Sequence, residues 1–234
     1  GVGAGQLLLN LASPLEFPLF ILTSILISVA VVPLLLSAGS PPTFHDSVRI
    51  SLIELFRLSP LGLVSMFAVG LVTATFFALG PVYAQRIGLS IRDISYFMTA
   101  AVVGTVILQG PIGALSDRYD RRTVLTFVTI LTALSAVACI PAEQHSTMAL
   151  FFAVTLFGGL AFPLYSICIA YTNDHLEPNQ MIAASGALVM VGGIGAITGP
   201  LLFAVIMDVY GYQSLFWSIA GVHGLTGLFA ILRM

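Results

Sequence analysis

The sequence predicts an all-α polytopic membrane protein. Of its 234 residues, 58% are hydrophobic and only 8% are charged, against about 25% charged residues in an ordinary soluble domain. The mean hydropathy is +1.05. Its apolar residues fall in runs of spanning length, which is about 20 helical residues for a hydrocarbon core about 30 Å thick, and short polar or breaker-rich turns separate the runs. Helices suit such an environment because they satisfy their backbone hydrogen bonds internally. The expected surroundings are therefore the lipid bilayer. A net charge of −2 leaves no basic stripe to displace counterions from phosphates, so nucleic acid is not an expected partner. Cys139 and Cys168 sit inside apolar runs, without the spacing of a disulfide framework or a zinc site, and read as small apolar filler. Neither a metal nor another cofactor is expected. Carboxylate pairs, nucleophile–base pairs and metal clusters are missing from each span and loop, so the chain reads as no enzyme.

Residues 1–12 (GVGAGQLLLNLA) are too short to cross and read as the tail of a helix; they lack the charged start and small-residue cleavage site of a signal peptide. A turn at Ser13-Pro14-Leu15-Glu16 leads into Phe17 to Leu36, the first complete span. The breaker-rich stretch 37–45 (SAGSPPTFH) is a linker, since adjacent prolines deny helix hydrogen bonds. Val48 to Leu58 mixes Arg49, Glu54 and Arg57 among apolar residues, as either a short helix at the membrane surface or an extension of the next span. Ser59-Pro60 signals a helix start, with a hydroxyl for the cap and proline where no donor is needed.

The following helix runs to about Ala84, and Gln85 to Asp93 is a polar loop. Further spans are expected at Ile94 to Ser116, Thr123 to Pro141, Thr147 to Tyr171, Met181 to Met207 and Ser214 to Leu232. Between the later ones lie turns at Ala142 to Ser146, Asn173 to Gln180 and Asp208 to Gln213. The prediction is thus a helix tail, a full helix, a linker and six further spans. All the basic residues are arginine, and alternation of sides puts Arg49, Arg57, Arg118, Arg121, Arg122 and Arg233 on one face and Arg86 and Arg92 on the other. The arginine-rich face, with the C-terminus, is expected in the cytoplasm.

The turn Gly113-Ala114-Leu115-Ser116-Asp117-Arg118-Tyr119-Asp120-Arg121-Arg122 closely resembles the G-x-x-x-D-R-x-G-R-R signature of the major facilitator superfamily. That signature lies between the family's second and third helices and again between its eighth and ninth. Two full helices separate the linker from this turn, which matches the second occurrence, and Gln109-Gly110-Pro111-Ile112 and Gly199-Pro200 also look like the family. The resemblance covers the whole chain. It implies the end of an N-terminal bundle at 1–36 (tail of the fifth helix, then the sixth), a cytoplasmic linker with a short surface helix at 37–59, and a C-terminal six-helix bundle at 60–234. Helices 1 to 4 and part of 5 are then expected before Gly1, as the partner that completes the carrier. The likeness is to poorly defined bacterial carriers, so it implies transport of a small solute by alternating access in a bacterial inner membrane, and no particular solute.

One family position departs: Asp120 replaces the turn's glycine, and the turn is expected to survive because Asp visits left-handed angles better than most residues. Internal repeats point the same way as the signature. Gly5-Gln6-Leu7-Leu8 matches Gly199-Pro200-Leu201-Leu202, and Pro81-Val82-Tyr83 matches Pro163-Leu164-Tyr165 near the ends of helices that open each three-helix unit.

Asp117 falls in the last turn of its helix, where the dipole disfavours a carboxylate. Arg121, or the N-terminus of another helix, must compensate. The resemblance implies a conformational latch made by Gly113, Asp117, Arg118, Arg121 and Arg122; the bland alternative is that the arginines set topology and bind headgroups while Asp117 pairs with them. Pro81, Pro163, Gly199 and Pro200 read as kink or packing positions, and the glycines of the Met181 span as either a close-packing face or a rocking element. Polar and aromatic side chains within spans are the substrate-cavity candidates: Thr73, Phe77, Tyr83, Gln109, Tyr165 and Ser166. For Tyr83 an interfacial aromatic belt is the alternative. His223 is the one titratable side chain expected deep in a span, for packing or for a proton relay. From another class, a non-transporting membrane sensor or partner-binding subunit predicts bulky filling in place of a cavity; an inactive partial product is a third reading.

Overall fold

Proline, glycine and hydroxyl residues punctuate this chain, and they set where several of its helices start. The computed structural model describes residues 2–10, 17–36 and 50–233. Described helices are α1 (Val2–Leu7, continued by a 3-10 turn at Leu8–Asn10), α2 (Phe17–Leu36), α3 (Leu52–Leu58), α4 (Pro60–Arg86), α5 (Ile91–Arg118), α6 (Arg121–His145), α7 (Thr147–Ala161), α8 (Leu164–Asn173), α9 (Met181–Tyr210) and α10 (Ser214–Leu232). No strand occurs among the described residues. The turn at 13–16, the linker at 37–45 and the charged residues Arg49 and Asp46 lie outside the described residues.

Among the described residues, six apolar helices are long enough to cross a membrane: α4, α5, α6, α7 with α8 taken together, α9 and α10. At 1.5 Å per residue a 28-residue helix such as α5 is about 42 Å long, more than the hydrocarbon core alone requires. The surplus explains where the expected boundaries move. Arg86, Glu143 and Asp208 were expected in loops but stand in the last turns of α4, α6 and α9, because charged residues at helix ends reach the headgroup region without ending the helix. The loops shrink accordingly, to residues 87–90, Tyr119-Asp120, Ser146 alone and 211–213.

Caps account for several of these starts. Ser90 Oγ accepts from the Asp93 amide at 3.2 Å and donates to Asp93 Oδ2 at 2.6 Å, an N-cap that begins α5 earlier than expected. Ser146 likewise accepts from Ala149 N at 3.1 Å. Ser59 corrects the sequence reading: Pro60 is the first helical residue, but the Ser59 hydroxyl makes no cap bond. It turns instead to Thr172 Oγ1 at 3.5 Å, buried, and joins the start of α4 to the end of α8.

Thr147 to Tyr171 is not one unbroken helix. The bond ladder is interrupted at Phe162-Pro163, since Pro163 has no N–H to give the Gly159 carbonyl. Both residues keep helical angles (φ −76, ψ −33 and φ −63, ψ −20), so the span continues in its direction past the break. Pro81, Pro111, Pro141 and Pro200 sit inside continuous helices.

Lipid removes most of the hydrophobic drive between helices, so packing rests on close approach. The two closest seams are α4 with α9 and α5 with α7. In the first, Gly70 lies against the Gly192 carbonyl, Gly195 against the Phe67 carbonyl, and Gly199 against the Leu71 carbonyl. In the second, Gly104 faces the Thr155 carbonyl and Gly158 the Ala101 carbonyl, and Thr105 Oγ1 donates across to Gly158 O at 3.1 Å. α10 packs on α6, with Gly227 against Ile130. One core cluster gathers Phe76, Tyr83, Phe97, Phe157 and Phe216; the other gathers Leu55, Met66, Leu125, Leu164 and Leu188. Apolar side chains such as Val106, Ile107, Ile197, Leu201 and Val205 point outward, as a lipid-facing surface requires. α2 is exposed along almost its whole length, whereas α1 packs on α5, where Asn10 Nδ2 donates to Ser95 Oγ at 2.8 Å.

Candidate functional site: a cavity beside a broken helix

The glycines of α9 have two faces. Gly192, Gly195 and Gly199, spaced three and four apart, press α9 onto α4. Gly193 and Ala196 are turned aside from that seam and help line a cavity of about 400 Å³. Its walls are Met66, Val69, Gly70, Thr73 and Ala74 of α4, Val189, Gly192, Gly193 and Ala196 of α9, and Phe162 and Tyr165 from the interruption between α7 and α8. Small residues on two helices thus leave space that the broken third helix borders. Thr73 and Tyr165 supply the only side-chain polar groups in that lining, and no ionisable carboxylate, guanidinium or imidazole is among its residues. A volume of this size falls within the range of about 300–1,000 Å³ for small-molecule sites.

Of the side chains expected at a cavity, Thr73 and Tyr165 line this one. Phe77 stands behind the wall, its ring stacked on Phe162 with centroids 5.2 Å apart and planes 18° from parallel. Ser166 is exposed beside Tyr165, and Gln109 is exposed on α5; neither is in the lining. Tyr83 is fully buried in the aromatic cluster, edge-on to Phe216 at 4.9 Å.

At the end of the bundle where α5 passes to α6, Arg121 joins two carboxylates: Nη2 to Asp117 Oδ1 and Nη1 to Asp174 Oδ1, each at 3.3 Å. Asp117 is in the last turn of α5 and Asp174 just follows α8, so both carboxylates lie at a dipole's negative end, and Arg121 begins α6 at the positive end. Each charge is unfavourable in its own helix, and the pairing offsets this. Side-chain exposures of 73% for Asp117 and 49% for Asp174 limit each bridge to roughly 0–1 kcal/mol. The network also connects the turn to α8, the helix that carries Tyr165. Gly113 and Arg118 take no part in it, and the buried Arg122 Nε has no hydrogen-bond partner among the described residues. Asp120 does not use the left-handed region: its φ is −54, and no non-glycine residue among those described has a positive φ. It caps α6 instead, accepting from Thr123 N and Thr123 Oγ1 at 2.8 Å each. Those bonds hold the Asp120 carboxyl below its ordinary range.

The model of the Major Facilitator Superfamily matches residues 58–234. The chain belongs to the major facilitator superfamily. Among curated relatives, an uncharacterized MFS-type transporter of Yersinia enterocolitica is 29% identical over 235 positions, covering 100% of this chain and 60% of that relative. One from Yersinia pestis is 28% identical over 224 positions (95% of this chain, 57% of the relative). The uncharacterized MFS-type transporter YcaD of Escherichia coli is 29% identical over 178 positions (76% and 45%). The chain thus spans about 60% or less of the length of these relatives.

The opposite end of this superfamily bundle carries polar contacts made by Arg86, Glu143 and Asp208, residues expected in loops, and by Tyr83, expected in a span. Tyr83 OH donates to Glu143 Oε2 at 3.0 Å, tying α4 to α6. The Glu143 charge also raises the Tyr212 phenol above its ordinary range, helped by burial and a hydrogen bond. Arg86 bridges Asp208 at 2.6 Å and donates to the Met207 carbonyl at 3.3 Å, closing α4 on α9. Met66, Val69, Val189 and Ala196 carry no chemical signal separable from core, and the sequence reading passed over them. Gly192, Gly195 and Gly199 did hold a signal: their spacing marks one face, and Gly193 and Ala196 fall off it.

Proposed function

We propose that this chain forms the C-terminal bundle of a secondary transporter that moves a small solute by alternating access. In this reading the cavity between α4, α9 and the α7/α8 break is its half of the solute site, and the chain catalyses no reaction. The observation that carries the reading is an open, mostly apolar cavity beside a discontinuous helix, in a chain whose relatives are named as MFS-type transporters. A sensor or docking subunit on the same fold needs no such space. Thr73, Tyr165 and Phe162 are the proposed contacts, with Phe77 backing the wall. The Asp117–Arg121–Asp174 network is the proposed latch; it supports the reading because it links the charged turn to the cavity helix α8. The membrane is taken to be a bacterial inner membrane with the arginine-rich end and the C-terminus in the cytoplasm, on the charge bias and the bacterial relatives.

The test is saturable solute flux in proteoliposomes. Asp117→Asn and Ala196→Trp should each lower it at least tenfold, with membrane insertion unchanged. Flux equal to that of the parent in both variants would sink the proposal.

A further inference from the structure

The cavity's chemistry restricts its ligand, and on the reading above that ligand is the solute. An ionised group taken out of water costs several kcal/mol unless a counter-charge and hydrogen bonds replace its hydration. None of the lining residues is ionisable except the Tyr165 phenol, and among the described residues the ion pairs stand at the two ends of the bundle: Asp117–Arg121–Asp174 at one and Arg86–Asp208 at the other. The rest of the wall is glycine, alanine and valine, with the Met66 thioether and the Phe162 ring. Such a wall offers dispersion and flat contact to an apolar or aromatic body. Thr73 and Tyr165 each add a hydroxyl that donates or accepts.

We infer that this half of the site takes a neutral, largely apolar solute carrying a hydrogen-bonding group, and that it provides no counter-charge to offset the desolvation of an anion, a cation or a zwitterion. The inference rests on the cavity being the solute site, but it makes a separate statement, about charge.

The experiment measures saturable, protein-dependent binding in lipid nanodiscs for three fluorescent probes: neutral Nile red, anionic 8-anilinonaphthalene-1-sulfonate and cationic rhodamine 6G. Binding to Ala196→Trp, which fills the cavity, is subtracted at equal lipid. A double variant, Thr73→Val with Tyr165→Phe, keeps shape and removes both hydroxyls. Nile red should show a saturable component that Ala196→Trp abolishes and that the double variant weakens about fivefold, the equivalent of about 1 kcal/mol for a hydrogen bond. The charged probes should show none. A saturable component for either charged probe that Ala196→Trp abolishes would overturn the neutral class and leave the cavity as the site. Nile red binding that neither variant alters would overturn both the class and the site, whatever the flux measurements give. The double variant remains decisive if Ala196→Trp does not fold.

Discussion

Replacing Gly195 by alanine tests the packing on which the whole bundle depends. The new methyl group would meet the Phe67 carbonyl of α4, and the Leu71 amide nitrogen at 2.9 Å. Both are backbone, so neither can rotate away, and α9 has to move off α4. Overpacking of this kind costs about 1–3 kcal/mol. Because both clashes are with backbone, the upper part of that range, about 2–3 kcal/mol, applies, and alanine's advantage of about 1 kcal/mol over glycine in a helix leaves a net loss of about 1–2 kcal/mol. Gly186→Ala on the same helix is the control: its added methyl meets nothing within 4 Å, and the propensity gain alone should stabilise by about 0.5–1 kcal/mol. With about 2–4 °C per kcal/mol for a domain of this size, the two variants should melt about 3–12 °C apart. Cys139 and Cys168 are 0% exposed, so a fluorogenic maleimide in detergent reports unfolding without an added label. Gly195→Ala melting at or above the parent would refute the close-approach account of the α4/α9 seam.

Two further outcomes follow from particular side chains. Asp120→Ala removes the α6 cap and should cost about 0.5–2 kcal/mol. Because the folded-state pKa of Asp120 is depressed, the stabilisation is present above its unfolded value of about 3.9 and is lost as pH falls through the lower folded value; melting curves of Asp120→Asn across that window should show less acid sensitivity than the parent, and an identical pH profile would contradict this. His223 is 1% exposed, and neither ring nitrogen has a hydrogen-bond partner among the described residues; an unsatisfied buried group costs about 1–3 kcal/mol. His223→Leu should therefore raise the melting temperature; a fall would mean that the imidazole has a polar partner.

How much of this was legible in the sequence depended on whether the signal was local. The limits of α2 and α10 follow directly from apolar runs bounded by breakers, and Phe17–Leu36 and Ser214–Leu232 are where the runs place them. Helix ends with charges were set too early at Arg86, Glu143 and Asp208, because a charge stops a hydropathy run before it stops a helix. Proline alone did not predict interruption. Pro81 and Pro200 are absorbed in continuous helices, while Pro163 breaks the ladder, because neighbouring groups decide whether the freed carbonyl is accommodated. Polarity within a span was an incomplete guide to the cavity: Thr73 and Tyr165 line it, but Tyr83 turns to Glu143, and Thr105, Thr132, Thr155 and Thr198 bond back to their own helices. The apolar part of the lining depends on which way α9 faces α4, a tertiary fact carried only by the glycine spacing.

The claim that this cavity belongs to a carrier is tested most directly by its accessibility from each side of the membrane. A cysteine at Thr73→Cys is labelled with a membrane-impermeant maleimide in right-side-out and in inverted vesicles, with the parent protein, whose Cys139 and Cys168 are buried, as the blank. Alternating access predicts labelling from both sides, with Asp117→Asn changing the ratio between them. Labelling from one side only, in the parent background and with Asp117→Asn alike, would contradict it.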